Sequence, residues 1–310
     1  MKRRYILIFL SFLILISIII YSGPKKVYEI FSKSEKTFLL YAFLLSTLTV
    51  FLRVLKWKVI LNKASFTDVL PVQLLGTTIS NFTPGKIGEP TKSLLIKMKA
   101  GIPVSKSLTS IIWERILDVF VLILFSLIFL GTFSSSLFLI EIISILIFTI
   151  IILVFLIIIY KKNIGIKFFL LLKKLPFFNK ISNEFINTFY RERVSKKSLI
   201  LSIFITLAAW ILDSAVFYLS FRSIGIDINP IFFIGLFSVS TLIGILSFLP
   251  GGLGSTDAVM IFILSANITP AEAVTGVFVA RLLTFWYFAL LGFLSFIYLS
   301  KYFDLKKIFS

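Results

Sequence analysis

Two arginines lie where a charge is most costly. Arg115 sits inside the apolar run 104–130 and Arg281 inside the run 272–299. Counted from Lys106 and from Glu272, each lies nine residues into its run. At 1.5 Å per residue that is about 14 Å, near the middle of a hydrocarbon core roughly 30 Å thick. A guanidinium at that depth faces protein interior or water, not lipid tails. Its planar fork can grip a phosphate through two parallel hydrogen bonds, or it can be neutralised by a carboxylate. Glu114 and Asp118 share the run of Arg115, and Asp118 is one helical turn away. Arg281 has no acid within a turn; Asp213 and Asp257 are the acids that can reach it from other elements. Ligand binding and a structural ion pair both stay open for each arginine.

Each arginine follows a proline by 31 residues, and the prolines belong to matching phrases. "NFTPGKIGEP" starts at Asn81 and "SFLPGGLGSTD" at Ser247. Asn81, Pro84, Gly85 and Gly88 align with Ser247, Pro250, Gly251 and Gly254 at an offset of 166. Glycines at these points let the chain turn tightly and approach a ligand closely. A helix is expected to restart after each phrase. Pro90 suits the first turn, Ser255 or Thr256 suits an N-cap, and Asp257 suits the first turn that follows. A restarting helix aims free N–H groups and its positive dipole end into the break, which is an anion site, with phosphate the usual anion. The plainer account is that the glycines only permit a bend and the caps only satisfy the helix. Lys86 and Glu89 in the first phrase face Gly252 and Ser255 in the second, so the halves are not functionally identical.

The elements that must position these residues are read from apolar runs. Runs at 5–22, 37–55, 104–130, 137–160, 198–221 and 272–299 are long enough to span. The segments 69–98 and 231–267 are apolar but broken by the Pro-Gly phrases, as broken helices or re-entrant hairpins. Irregular backbone at that depth is tolerated where protein or a wet cavity surrounds it. Span, broken segment and Arg-bearing span recur over 37–130 and 198–299. One further span at 137–160 gives the second copy the opposite polarity, an inverted repeat. The expected fold is therefore an all-α polytopic transmembrane bundle with an inverted-topology repeat and two re-entrant or broken segments. Its parts are an N-terminal span and loop (1–36), repeat 1 (37–130), a linking span and basic loop (131–197), repeat 2 (198–299) and a tail (300–310).

Composition agrees. Of 310 residues 58% are hydrophobic, more than a soluble domain could bury. There is no cysteine and no histidine, which removes disulfides, thiolate chemistry and the commonest general base. The net charge of +18 flanks apolar runs, as the positive-inside rule and anionic lipid require, and not as nucleic-acid binding would. The stretch 161–197 carries ten Lys and Arg against two Glu and is placed in the cytoplasm, with both termini on the same side and 23–36 outside. The opening apolar run lacks a small-residue cleavage site and is read as an anchoring span. Trp57, beside Lys56 and Lys58, reads as an interfacial anchor.

"NFTPGKIGEP", "WERILD" and "PGGLGSTD" together resemble the flippase-like integral membrane family related to the transmembrane part of bacterial lysylphosphatidylglycerol synthases, over roughly 37–299. The resemblance implies a role in moving or handling lipids with charged or phosphate heads. The aminoacyl-transferase domain of those synthases would follow the membrane region; the chain stops eleven residues after Leu299, so synthase activity is expected to be absent. The leading expectation is a multi-pass flippase or transporter of the cell membrane, binding an anionic or polyprenyl-phosphate-type headgroup near the midplane. No catalytic residue, metal or cofactor is expected. The binding residues expected are Asn81, Pro84, Gly85, Lys86, Gly88, Glu89, Glu114, Arg115, Asp118, Asp213, Pro250, Gly251, Gly252, Gly254, Ser255, Thr256, Asp257 and Arg281. The alternatives are an enzyme of lipid-linked sugar transfer, for which Glu89, Glu114 and Asp118 would have to converge, and a scaffold for a partner lipid-modifying enzyme.

Overall fold

The computed structural model describes residue 13 and residues 16–132, 138–172, 183–191 and 194–303. Most of the expected first span lies outside these residues, as do parts of the basic stretch 161–197. The described residues form helices and turns, with no strand among them.

A short helix, α1 (Pro24–Ser32), starts behind Gly23 and precedes α2 (Lys36–Leu61). At 26 residues α2 is about 39 Å long, enough to cross. It runs six residues past the end of the apolar run 37–55 and stops where Asn62 turns left-handed. That extension corrects the sequence reading: Lys56 and Trp57 are buried in the helix, not on a polar loop. Trp57 is therefore no interfacial anchor, because its indole Nε1 donates to Ser110 Oγ at 3.0 Å inside the bundle.

The first broken segment is α3 (Phe66–Asn81), a 3-10 turn at Pro84–Lys86, and α4 (Thr91–Ala100). Ser65 caps α3 by accepting the amide of Asp68. With 16 and 10 residues, about 24 and 15 Å, neither half crosses alone. Next come α5 (Val104–Thr132) and α6 (Phe138–Tyr160), then α7 (Lys162–Leu172) and α8 (Asn183–Arg191). The part of 161–197 that is described is thus largely helical rather than an extended loop, and Phe169, Ile186 and Phe189 pack it together.

The pattern then recurs. The helix α9 (Lys196–Ser223) is capped by Ser195. The helix α10 (Pro230–Leu246) leads to a 3-10 turn at Pro250–Gly252, α11 (Ser255–Leu264) and α12 (Pro270–Arg281). A π turn at Leu282–Trp286 joins α12 to α13 (Tyr287–Ser300). Among the described residues three stretches are long and apolar enough to cross, Lys36–Leu61, Lys196–Ser223 and Pro270–Ser300, and a fourth if the bent pair Ile145–Ile158 and Lys162–Leu171 is one span. Of the six full crossings expected, most of the first, 5–22, lies outside the described residues. The helix α5 is as long as these, with 29 residues, and carries Glu114, Arg115 and Asp118 near its middle.

Packing between the halves is reciprocal. Counterparts α2 and α9 form the most extensive helix pair, and they run antiparallel: the amide of Glu35 donates to the carbonyl of Ser223, while Ile60 clusters with Leu199 and Ile203. The helix α3 packs on α13, and its counterpart α10 packs on α5. The two 3-10 turns touch each other. These are the relations that a two-fold axis across the helices produces. Glycines allow the closest approaches: a Cβ at Gly235 would strike Phe129, and one at Gly292 would strike Thr78.

Candidate functional site

The two breaks meet each other. The amide of Gly85 donates to the carbonyl of Phe248 at 3.2 Å. A Cβ at Gly251 would lie 3.1 Å from the carbonyl oxygen of Asn81. Gly85 and Gly251 both have left-handed backbone, φ 56° and 62°, which glycine adopts without steric cost. Pro84 and Pro250 open the two turns. Gly88 donates its amide to Thr83 Oγ1 at 2.9 Å. Around the junction Phe82, Phe285 and Trp286 form an aromatic group, with Phe82 and Phe285 ring centres 5.6 Å apart.

Behind the first break lies a buried charge network. Glu89, Glu114 and Asp118 all contact Arg115: Glu89 reaches Nε at 3.2 Å, while Glu114 and Asp118 reach Nη2 at 3.4 and 3.0 Å. Two lysines that sequence reasoning missed complete it. Lys92 Nζ lies 2.6 Å from Glu114 and 3.1 Å from Glu89. Lys56 Nζ lies 2.7 Å from Asp118 and 3.6 Å from Glu114. Gln73 donates to Glu114 at 3.1 Å and accepts from Lys92 at 3.1 Å, and Trp210 Nε1 donates to Asp118 at 3.2 Å. Lys56 and Lys92 are 1% and 0% exposed, whereas the Arg115 side chain is 30% exposed. Buried ions at this density need such pairing, because an unpaired charge in a low dielectric is very costly. The spacing of Glu89 and Lys92, one helical turn apart, was a legible signal for Lys92. Lys56 was hidden because the expected run 37–55 stops one residue short of it.

The second break is simpler. Arg281 Nε donates to Asp257 Oδ1 at 2.5 Å, and Gly254 donates its amide to Asp257 Oδ2 at 3.0 Å. The N-cap is therefore Gly254, at φ 84°, and not Ser255 or Thr256. Asp257 itself closes the helix end, so a hydroxyl cap is unnecessary. Ser255 Oγ instead pairs with Ser247 Oγ at 2.8 Å, and Thr256 is buried against Gly244 and Gly252. Arg281 Nη2 is buried and has no hydrogen-bond partner among the described residues.

Asp213 does not reach Arg281. It forms an ion pair with Arg53, across the antiparallel α2–α9 pair, and the Arg53 guanidinium lies 5.1 Å from the centre of the Trp210 ring. Arg53 lies within α2, inside the run 37–55 expected to span. The structure thus gathers Glu89, Glu114, Arg115 and Asp118 into one cluster, and Gly254, Asp257 and Arg281 into a second, and leaves Asp213 with Arg53. Lys86 and Gly252 occupy equivalent points in the two touching turns.

Comparison with known proteins follows the same outline. The sequence profile of the lysylphosphatidylglycerol synthase TM region matches residues 8–292. A UPF0104 membrane protein of Methanocaldococcus jannaschii is 26% identical over 327 residues, covering 98% of this chain and 97% of the relative. A UPF0104 membrane protein of Methanothermobacter thermautotrophicus is 26% identical over 313 residues, covering 93% of each. A phosphatidylglycerol lysyltransferase of Staphylococcus xylosus is 32% identical over 92 residues, covering 28% of this chain and 11% of the relative. With apolar helices long enough to cross a bilayer and a profile match over nearly its whole length, this chain is a membrane protein that belongs to the lysylphosphatidylglycerol synthase TM region family.

Proposed function

We propose that this protein binds the anionic or phosphate-bearing headgroup of a lipid at the junction of the two breaks and carries it across the membrane, as a flippase or transporter. The observation that carries this reading is the meeting of the two Pro-Gly turns beside two arginines, one of them, Arg115, partly open. A guanidinium held by acids on one side keeps further N–H donors for a ligand on the other. Counterpart helices that pack antiparallel suit a site reached from either face in turn. The partial likeness to a phosphatidylglycerol lysyltransferase agrees with a phospholipid as ligand. The placement in the cell membrane with both termini cytoplasmic belongs to the same proposal.

Sugar transfer on a lipid carrier is the second reading, and one observation favours it: Glu89, Glu114 and Asp118 do converge. Each is neutralised by Lys56, Lys92 or Arg115, which suits anchoring better than metal-dependent transfer. The test is to identify copurifying lipid by mass spectrometry, then measure headgroup-resolved scrambling in liposomes. Transbilayer movement supports the transporter. Binding without movement favours a scaffold for a lipid-modifying enzyme, and product formed from a sugar donor favours the enzyme.

A further inference from the structure

We infer that Lys86 is a specificity residue, whose ammonium selects a net-anionic phosphodiester headgroup over a zwitterionic one; this rests on the lipid-binding reading above. The first observation is backbone. The two turns have the same left-handed pair, Gly85 at φ 56° and Lys86 at φ 59° against Gly251 at φ 62° and Gly252 at φ 67°. The second turn shows what this geometry ordinarily takes, two glycines. A residue with a Cβ adopts it at a steric cost, and such strain concentrates at functional sites.

The turn itself has no need of the lysine side chain. The amide of Lys86 donates to the carbonyl of Thr83 at 3.2 Å, and its own carbonyl accepts the amide of Glu89 at 3.1 Å. Both bonds are backbone bonds that glycine would make. The side chain is half-buried, and it forms no ion pair and no hydrogen bond with the described residues.

The second observation is charge balance. The cluster behind the break holds three acids, Glu89, Glu114 and Asp118, and three cations, Lys56, Lys92 and Arg115, all interpaired. Arg53 is matched by Asp213 and Arg281 by Asp257. Lys86 stands outside this balance and gives the junction one net positive charge. A half-buried ammonium without a counterion is unfavourable, and a ligand bearing one net negative charge corrects it. A zwitterionic headgroup brings its own cation and does not.

The test uses the purified full chain in detergent, with wild type, Lys86→Gly and Lys86→Arg, each probed with phosphatidylglycerol, phosphatidylcholine and inorganic phosphate. Unfolding temperature reports the fold, and native mass spectrometry reports binding. Wild type should prefer phosphatidylglycerol to phosphatidylcholine. Without lipid, Lys86→Gly should unfold at the same or a higher temperature, since the strain is relieved. Its affinity for phosphatidylglycerol should fall ~10-fold or more, the loss of one charge-assisted contact, while its weak affinity for phosphatidylcholine stays unchanged. Lys86→Arg should keep the preference. Inorganic phosphate binding that is as tight as the lipid's and lost in Lys86→Gly would retain the role of Lys86 but make the ligand a free phosphate, against the lipid reading. Lys86→Gly binding phosphatidylglycerol as wild type does, or unfolding well below it, would overturn the inference while leaving the lipid reading intact. Wild type binding none of the three probes would overturn both.

Discussion

Arg281 and Asp257 join the end of α12 to the start of α11: one oxygen of the carboxylate takes the arginine Nε at 2.5 Å while the other takes the amide of Gly254 at 3.0 Å. A single acid therefore satisfies both the helix restart and the mid-membrane charge. Replacing Arg281 with Gln leaves Asp257 buried without a counterion, which should destabilise the fold by about 3–5 kcal/mol. Adding Asp257→Asn should restore most of the loss, and adding Asp213→Asn should restore none, because Asp213 belongs to Arg53. Thermal unfolding of the three variants decides it. A normal melting curve for Arg281→Gln would refute the structural pairing.

Lys92 and Arg115 share Glu89 and Glu114 but differ in exposure. Lys92→Met removes the nearest cation from a buried carboxylate and should destabilise by about 3–5 kcal/mol. Arg115→Gln should cost less, since that guanidinium is partly exposed and Lys56 and Lys92 still hold the acids. Lipid binding should show the opposite order, with Arg115→Gln losing more once folded protein is compared. Equal unfolding temperatures for the two variants would break the distinction drawn here between anchoring and open cations.

Arg53 and Asp213 pair across the α2–α9 interface on which the two halves lean. Each of Arg53→Leu and Asp213→Leu should lower folded yield and unfolding temperature, because each strands one buried charge. The double substitution should recover much of the loss, since an apolar pair of similar bulk replaces a desolvated ion pair. A double variant that is worse than either single, measured as a thermal double-mutant cycle, would show that the charges serve something other than this interface.

Glu35 meets Ser223 at one end of the α2–α9 pair, and Ile60 clusters with Leu199 towards the other. Lys33 and Lys197 are exposed and lie near opposite ends. The chain has no cysteine, so a single cysteine at either position reports its side cleanly. With 161–197 cytoplasmic, Lys33→Cys should react with a membrane-impermeant maleimide added outside, and Lys197→Cys should react only after permeabilisation. Reaction of both from the same side would refute the inverted arrangement of the halves.

The sequence by itself determined the all-α membrane architecture and the two matched breaks, because these depend on local chemistry: apolar runs must be helical in lipid, and Pro-Gly phrases must interrupt them. It also required Arg115 and Arg281 to face protein interior or water, since lipid excludes them. It misjudged where α2 ends, and with that the places of Lys56 and Trp57. A lysine or arginine at the edge of an apolar run looks the same on paper whether it reaches water or a buried carboxylate. Only the tertiary structure could decide this, because Asp118 and Asp213, the partners that make Lys56 and Arg53 tolerable inside, come from helices far along the chain. The choice of Asp257 over Asp213 for Arg281 has the same cause: both acids were within conceivable reach, and the distance between helices, which no local pattern encodes, selected one.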